Sequence, residues 1–216
     1  TPNIAQHEDL NVSNSILKTH TISQPYLFYP AQFWPHKNHI IILYAVKFLK
    51  EQHNLNFSVV FTGSDKGNLE YIKEQASKLG LENNVHFLGF VTMQELVALY
   101  RHAFALVFAS FFGPNNIPPL EAFSLGCPVI AANVAGAQEQ LGTAALFFDP
   151  KNYTECAKHV MQLVHKQNLR TILIAKGIQR AQQWTTKDYL EKLVSIIDDF
   201  EPIRRCWSSN KPYIHS

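Results

Sequence analysis

The chain is predicted to be an α/β protein, a doubly wound, Rossmann-like parallel sheet of about six strands flanked by helices. Three observations predict this. From Pro25 onward, short apolar runs alternate with longer amphipathic stretches, the pattern of parallel strands joined by crossover helices. Each apolar run is nearly continuous in its hydrophobicity, which calls for helices on both faces of the sheet. Gly80, Gly126 and Gly142 stand where helices should stop.

Taken in order, strands are expected near Tyr26–Tyr29, Phe57–Phe61, Val85–Phe87, Ala105–Phe108, Val129–Ala131 and Ala144–Phe147. Helices are expected near Asn38–Glu51, Leu69–Leu79, Gln94–His102, Pro118–Leu125 and Gln138–Gln140. After Asn152 the pattern turns wholly helical, with Tyr153–Lys166, Leu169–Gln183 and Lys187–Phe200, and Trp184 at a break. Three segments follow: a polar lead-in over 1–24 from a missing domain or linker, one folded domain over 25–200, and an irregular tail over 201–216.

With 216 residues and 46% hydrophobic content, the chain can bury a core of its own. Lys plus Arg total 19 against 17 for Asp plus Glu, and the basic residues are spread along the chain, which argues against nucleic acid as a partner. A small anionic ligand is compatible with this balance. Cys127, Cys156 and Cys206 have neither zinc-binding nor disulfide-framework spacing, so a reducing, cytoplasmic setting is expected. No run approaches the roughly 18 to 20 apolar residues of a membrane span. As part of a longer chain, a place at the membrane periphery is also compatible.

Ligands of such sheets sit beyond the carboxyl ends of the strands, so the strand-exit loops are the place to look. The first loop, Pro30 to Asn38, opens onto a helix, and a lysine there, Lys37, makes a phosphate site or is simply a solvated loop residue beside a capping Asn38. The second, Thr62 to Asn68, has small residues that let backbone approach a ligand, a feature of α/β domains of every function. Gly89-Phe90-Val91 after the third strand is either a turn or a wall against a base. The fourth, Ser110 to Ile130, is the most informative: Pro118 and Pro119 start a helix, and Glu121 follows within its first turn. That carboxylate either complements the helix dipole or accepts hydrogen bonds from a vicinal diol such as a ribose, while Asn115 and Asn116 suit a polyhydroxyl ligand. His36, His39, His86 and His102 read as core or surface histidines ahead of catalytic ones.

The run Pro118-Pro119-Leu120-Glu121-Ala122-Phe123 with Gly126-Cys127-Pro128-Val129-Ile130, together with Gly89-Phe90-Val91, Glu95-Leu96, Tyr100 and the Lys37 loop, resembles the C-terminal domain of GT-B retaining glycosyltransferases of group 1, family 4 type. The likeness runs from about Tyr26 to Ile197. It implies that the chain is a single GT-B half with C-terminal helices that binds a nucleoside diphosphate sugar, of GDP-mannose or UDP-hexose type. The sugar would pass to an acceptor hydroxyl in glycan or polysaccharide synthesis, with retention at the anomeric carbon. Glu121 would hold the donor ribose and Lys37 would neutralise the diphosphate. Gly63 and Ser64 would line the nucleotide cleft, Phe90 and Val91 would contact the base, and Gly136 lies in the segment that closes the far side.

Two departures from the family pattern stand out. Its first glutamate, eight positions before the second, falls at Gly113, and its arginine at Gln32. His36, Gly113, Asn115, Asn116 and Ile117 therefore complete the expected donor contacts. No cofactor or metal is expected, the donor itself being the substrate. The partner would be an acceptor-binding N-terminal domain, without which the half is expected to transfer poorly or not at all. The last helix would cross back toward that domain with Tyr189, Leu190, Leu193, Ile196 and Ile197 partly exposed, or pack on its own sheet. Two alternatives remain: a nucleotide-sugar-binding module without catalysis, and a GT-B-like nucleotide-sugar epimerase, for which the Gly113–Glu121 loop supplies only one carboxylate.

Overall fold

The computed structural model describes residues 16–113, 117–183 and 186–208. Six parallel strands form one sheet: β1 (Tyr26–Pro30), β2 (Ser58–Thr62), β3 (Val85–Phe87), β4 (Ala105–Phe108), β5 (Val129–Ala132) and β6 (Ala145–Phe148), in the order β3-β2-β1-β4-β5-β6. Tyr26 through Tyr29 are completely buried and every residue of β2 is buried, as strands covered on both faces require. Register pairs Leu27 with Val59 on one side and with Ala105 on the other.

The helices are α1 (His39–His53), α2 (Leu69–Lys78), α3 (Met93–His102), α4 (Ile117–Ser124), α5 (Ala137–Leu141), α6 (Tyr153–His165), α7 (Gln167–Gln182) and α8 (Thr186–Ser208). From β1 the chain steps outward to β2 and β3, then returns across β1 to β4 and steps the other way. Right-handed crossovers accordingly place α1 and α2 on one face and α3, α4 and α5 on the other. α6 packs against α1, and α7 against α4. The direction of winding reverses between β1 and β4, so the exits of these two strands flank the crevice of the sheet.

Local chemistry accounts for the element ends. Thr92 caps α3 by accepting from the Glu95 N–H, while the Glu95 carboxylate takes the Thr92 N–H, a full capping box. Gly126 ends α4 in the left-handed conformation, with the Gly126 and Cys127 N–H groups closing onto the carbonyls of Phe123 and Ala122. Where α7 crosses α4, Gly177 faces the Phe123 ring so closely that a methyl group in place of its hydrogen would lie 2.7 Å from Cδ1.

Most boundaries fall within one or two residues of expectation, but the ends of the chain differ. Ile16 and Ile22 are buried in the core and the Ile22 N–H bonds to the Leu17 carbonyl, so residues 16–24 belong to the folded unit and are not a detached lead-in. α8 runs through Pro202 to Ser208, where an irregular tail was expected from Pro202 onward. Proline removes one N–H, yet on a helix this exposed the carbonyl it frees is open to water, so the helix continues. Leu190, Leu193, Ile196 and Ile197 are exposed, in keeping with the first of the two readings of this helix. Among the described residues no helix is long and apolar enough to cross a membrane.

Candidate functional site

The loop leaving β1 makes a single 3-10 turn, Pro35–Lys37, before α1 begins. It is fastened on both sides. Toward β2, the Ala31 and Phe33 N–H groups donate to the Thr62 and Ser64 carbonyls (both 3.0 Å), and beyond it the Gly63 N–H donates to the Gly89 carbonyl of the β3 exit (2.7 Å), so the sheet ladder continues past the strand ends. Gly63 has a positive φ of 129°, and a Cβ on it would lie 2.8 Å from the Ala31 carbonyl carbon, so only glycine fits this close approach. Toward β4, the Phe111 N–H donates to the His36 carbonyl (2.9 Å) and the His36 ring stacks on Phe112 with centroids 4.5 Å apart, while from β1 itself the Tyr29 hydroxyl donates to the Lys37 carbonyl (2.9 Å).

Asn38, at the N-terminus of α1, does not cap the helix with its side chain. Its buried amide instead donates to the carbonyls of Ala109 and Pro150, tying the exits of β4 and β6 to the start of α1. His39, next in line, is a core histidine. Its ring stacks on Phe33 at 4.5 Å and its Nε2 lies 3.2 Å from the Ala31 carbonyl. Burial, with the charge of Lys37 adding and the Ala31 carbonyl opposing, lowers its pKa to about 4, so it is neutral at physiological pH.

At the crevice between β1 and β4 lies a cavity of about 390 Å³, walled by Gln32, Trp34, His36 and Lys37 from the first exit loop, Phe108 at the end of β4 and Pro118 in the first turn of α4. The Lys37 ammonium sits 5.9 Å from the centroid of the Phe108 ring, within cation–π range. Lys37 is half-buried, and burial lowers its pKa. Among the described residues no carboxylate pairs with it. Burial, with Lys37 adding, lowers the His36 pKa as well.

Glu121 lies one helical turn beyond Pro118, past the first turn expected to hold it because α4 already begins at Ile117, and it is not among the residues that line the cavity. It is half-buried, which raises its pKa, while a hydrogen bond from the Tyr100 hydroxyl to Oε2 (2.8 Å) works the other way. The hydroxyl belongs to a wholly buried ring on the last turn of α3, set edge-on to Phe28 of β1. The first turn of α4 adds the positive end of a helix dipole, although Pro118 and Pro119 carry no N–H and leave only Ile117 and Leu120 to donate there.

Of the expected site residues, the structure thus brings Gln32, His36 and Lys37 together with the start of α4, which carries Glu121. Ile117 is exposed at the first position of that helix, and Gly113 ends the described part of the preceding loop. Asn115 and Asn116 lie outside the described residues. Gly63 and Ser64 do not line the cavity, and their backbone groups serve the ladder between loops. Phe90 projects into solvent, 81% exposed, with Val91 half-buried beside it, both beyond β3 on the far side of β2. Trp34, Phe108 and Tyr100 were not singled out for roles in the site. Trp34 bonds to its near neighbour Gln32, but Phe108 meets Lys37 and Tyr100 meets Glu121, 21 positions away, only through the topology. Among the described residues no group of three or more His, Cys, Asp or Glu side chains is placed to hold a metal ion.

The sequence profile of the family described as Glycosyl transferases group 1 matches residues 16–180. The chain is 28% identical over 162 residues to O-antigen chain mannosyltransferase B of Escherichia coli, covering 75% of this chain and 42% of that protein. It is 31% identical over 133 residues to O-antigen chain mannosyltransferase RfbU of Salmonella typhimurium, covering 60% and 36%. The match therefore spans less than half the length of these curated relatives. Among solved structures, Anabaena HepE in complex with UDP superposes with a TM-score of 0.78 at 18% identity, over 91% of this chain and 55% of that one. The C-terminal domain of LpcC, a glycosyl transferase group 1 family protein from Francisella tularensis, superposes with a TM-score of 0.68 at 18% identity, over 81% of this chain and 92% of that one.

Proposed function

Since the chain belongs to the group 1 glycosyltransferases and has the fold of one GT-B half, we propose that the β1/β4 crevice binds the nucleoside diphosphate of an activated sugar. The observation that carries this reading is the half-buried Lys37, without a carboxylate partner among the described residues, on the wall of a cavity that Pro118, one helical turn before Glu121, lines from α4. A cation partly stripped of water and left uncompensated is an anion site, and a diphosphate supplies the missing charge. A carboxylate one turn into the facing helix suits the vicinal hydroxyls of the adjoining ribose.

In the full-length protein the reaction is transfer of a hexose to an acceptor hydroxyl, with retention. Two relatives are named as mannosyltransferases, which favours a mannosyl donor, whereas HepE was solved with UDP and with UDP-glucose. As the bond to the leaving diphosphate breaks, negative charge grows on its oxygens, and Lys37 with the dipole of α4 stabilises it in place. With Gly113 and Gln32 at the positions of the family's first glutamate and arginine, Gln32 and His36 are polar side chains beside Lys37 on the cavity wall. The acceptor would be held by an N-terminal domain.

Calorimetric titration with GDP, UDP and ADP and their sugar conjugates tests the reading. One nucleoside diphosphate is expected to bind, and Lys37→Met to weaken it on the order of 10- to 100-fold, the range for losing a hydrogen bond to a charged group. The folded variant should be at least as heat-stable as the parent, because Lys37 is desolvated without a partner. A protein that folds and binds none of the three bases would overturn the proposal.

A further inference from the structure

Resting on that reading, we propose that Tyr100 is the positioning residue for Glu121, and that its buried hydroxyl sets how strongly the site prefers a ribonucleotide to a 2′-deoxyribonucleotide. A glutamate in the first turns of a helix has several rotamers open to it, and a diol is gripped only by the one that turns the carboxylate toward it. Here one oxygen, Oε2, is fixed by the Tyr100 hydroxyl at 2.8 Å, while Oε1 receives no hydrogen bond among the described residues. Tyr100 has no freedom to follow a wandering carboxylate. Its ring is fully buried on α3 and packed edge-on against Phe28 with centroids 5.0 Å apart. The contact thus joins a rigid donor in the core to a partly buried acceptor on α4, one turn beyond the Pro118 that lines the cavity.

The proton on this bond stays with the tyrosine. Burial, and then the Glu121 charge, raise the Tyr100 hydroxyl well above its ordinary value, whereas Glu121 remains a carboxyl group raised only by its own burial. The other titratable groups near Tyr100 do not disturb this. The Cys127 thiol beyond α4 is raised by burial to about 12 and Tyr26 of β1 is likewise raised, so both are neutral, and the Arg170 guanidinium of α7 acts on Cys127. Across the crevice Lys37 carries the cationic charge of the site. Removing the hydroxyl takes away a hydrogen bond, the one to this carboxylate among the described residues, that favours the ionised form of Glu121, so its pKa moves further up.

The test is titration of wild type and Tyr100→Phe with the nucleoside diphosphate that binds and with its 2′-deoxy form, across pH 5.5 to 8.5. Tyr100→Phe should weaken the ribonucleotide about 3- to 10-fold and the deoxy form less, so that the ratio between them shrinks. The acid-side loss of ribonucleotide affinity should also begin at higher pH. In a Glu121→Gln background Tyr100→Phe should leave the ratio unchanged, and 4-aminophenylalanine in place of Tyr100, which keeps a donor, should restore it. A folded Tyr100→Phe protein with the parent's ratio and pH profile overturns the proposal, even where its melting temperature falls. Should Tyr100→Phe not fold, the 4-aminophenylalanine protein decides: a ratio at or near that of wild type supports the role, and one reduced to the Glu121→Gln level overturns it. Wild-type protein that binds no nucleoside diphosphate overturns the donor-site reading itself, a separate result.

Discussion

The loop that leaves β1 has two flanks of opposite character. Toward β2 it is closed by main-chain bonds: Ala31 and Phe33 donate to Thr62 and Ser64, and the β2 exit is in turn tied to the β3 exit by the Gly63 N–H on the Gly89 carbonyl. Toward β4 it is held at a few points, by the Asn38 amide on the Ala109 carbonyl and the Phe111 N–H on the His36 carbonyl, and on this flank lies the cavity. The two flanks differ in topology more than in composition. β1 and β2 are followed by helices on the same face, so their exits run together and the ladder carries on. β1 and β4 send their helices to opposite faces, so their exits part. The closed flank leaves no space between its loops, and the open one holds half-buried charges.

The largest effect should come from breaking the closed flank. Gly63→Ala places a methyl group 2.8 Å from the Ala31 carbonyl at a φ of 129°, and should cost roughly 2–4 kcal/mol of stability in urea denaturation. If the comparison holds, nucleotide affinity at the temperature where the variant is still folded should change far less than stability does.

On the open flank the order of effects reverses. Glu121→Gln should weaken nucleoside diphosphate binding about 10-fold, the loss of a hydrogen bond to a charged acceptor, yet raise the melting temperature near neutral pH. The sign follows from burial. Its raised pKa means that the native state favours the protonated carboxyl, so wild type and variant should be equally stable in acid, and the gap should open as pH rises through the raised value. A variant less stable than wild type at pH 7.5 would show that the carboxylate serves the fold.

A smaller change sharpens the contrast. Asp65 Oδ1 accepts from the N–H groups of Gly67, Asn68 and Leu69 at the start of α2, and these bonds, from Leu69 and Gly67 first, lower its pKa. Its contribution is present above the ordinary carboxylate range and lost as pH falls through the lowered native value. Asp65→Asn should therefore melt slightly earlier at neutral pH and match wild type in acid, with nucleotide affinity unaltered in the same titration.

These contrasts also mark what was legible from the residues alone. The apolar runs at Tyr26–Tyr29 and Ala105–Phe108 announce buried parallel strands because each residue in them faces a helix layer, so the doubly wound fold and most boundaries follow from local pattern. The importance of the Glu121 segment and of Lys37 came from family likeness at consistent spacing, since neither residue is informative alone. What escaped depends on contacts between distant positions. Tyr100 looks like an ordinary apolar-face residue of α3, and Asn38 like a plain cap, until the sheet order brings α4, β4 and β6 beside them. The continuation of α8 past Pro202 escaped for another reason: a proline's effect depends on whether the carbonyl it strands can reach water, which composition does not reveal.

The notch at Gly177 has a consequence for ligand capture. Because the Phe123 ring seats against the bare backbone of α7, the helix that presents Glu121 is braced from behind, two residues from the carboxylate itself. The conformational entropy of immobilising that segment is then lost during folding and not when a ligand arrives, so more of the contact free energy at the carboxylate survives as affinity.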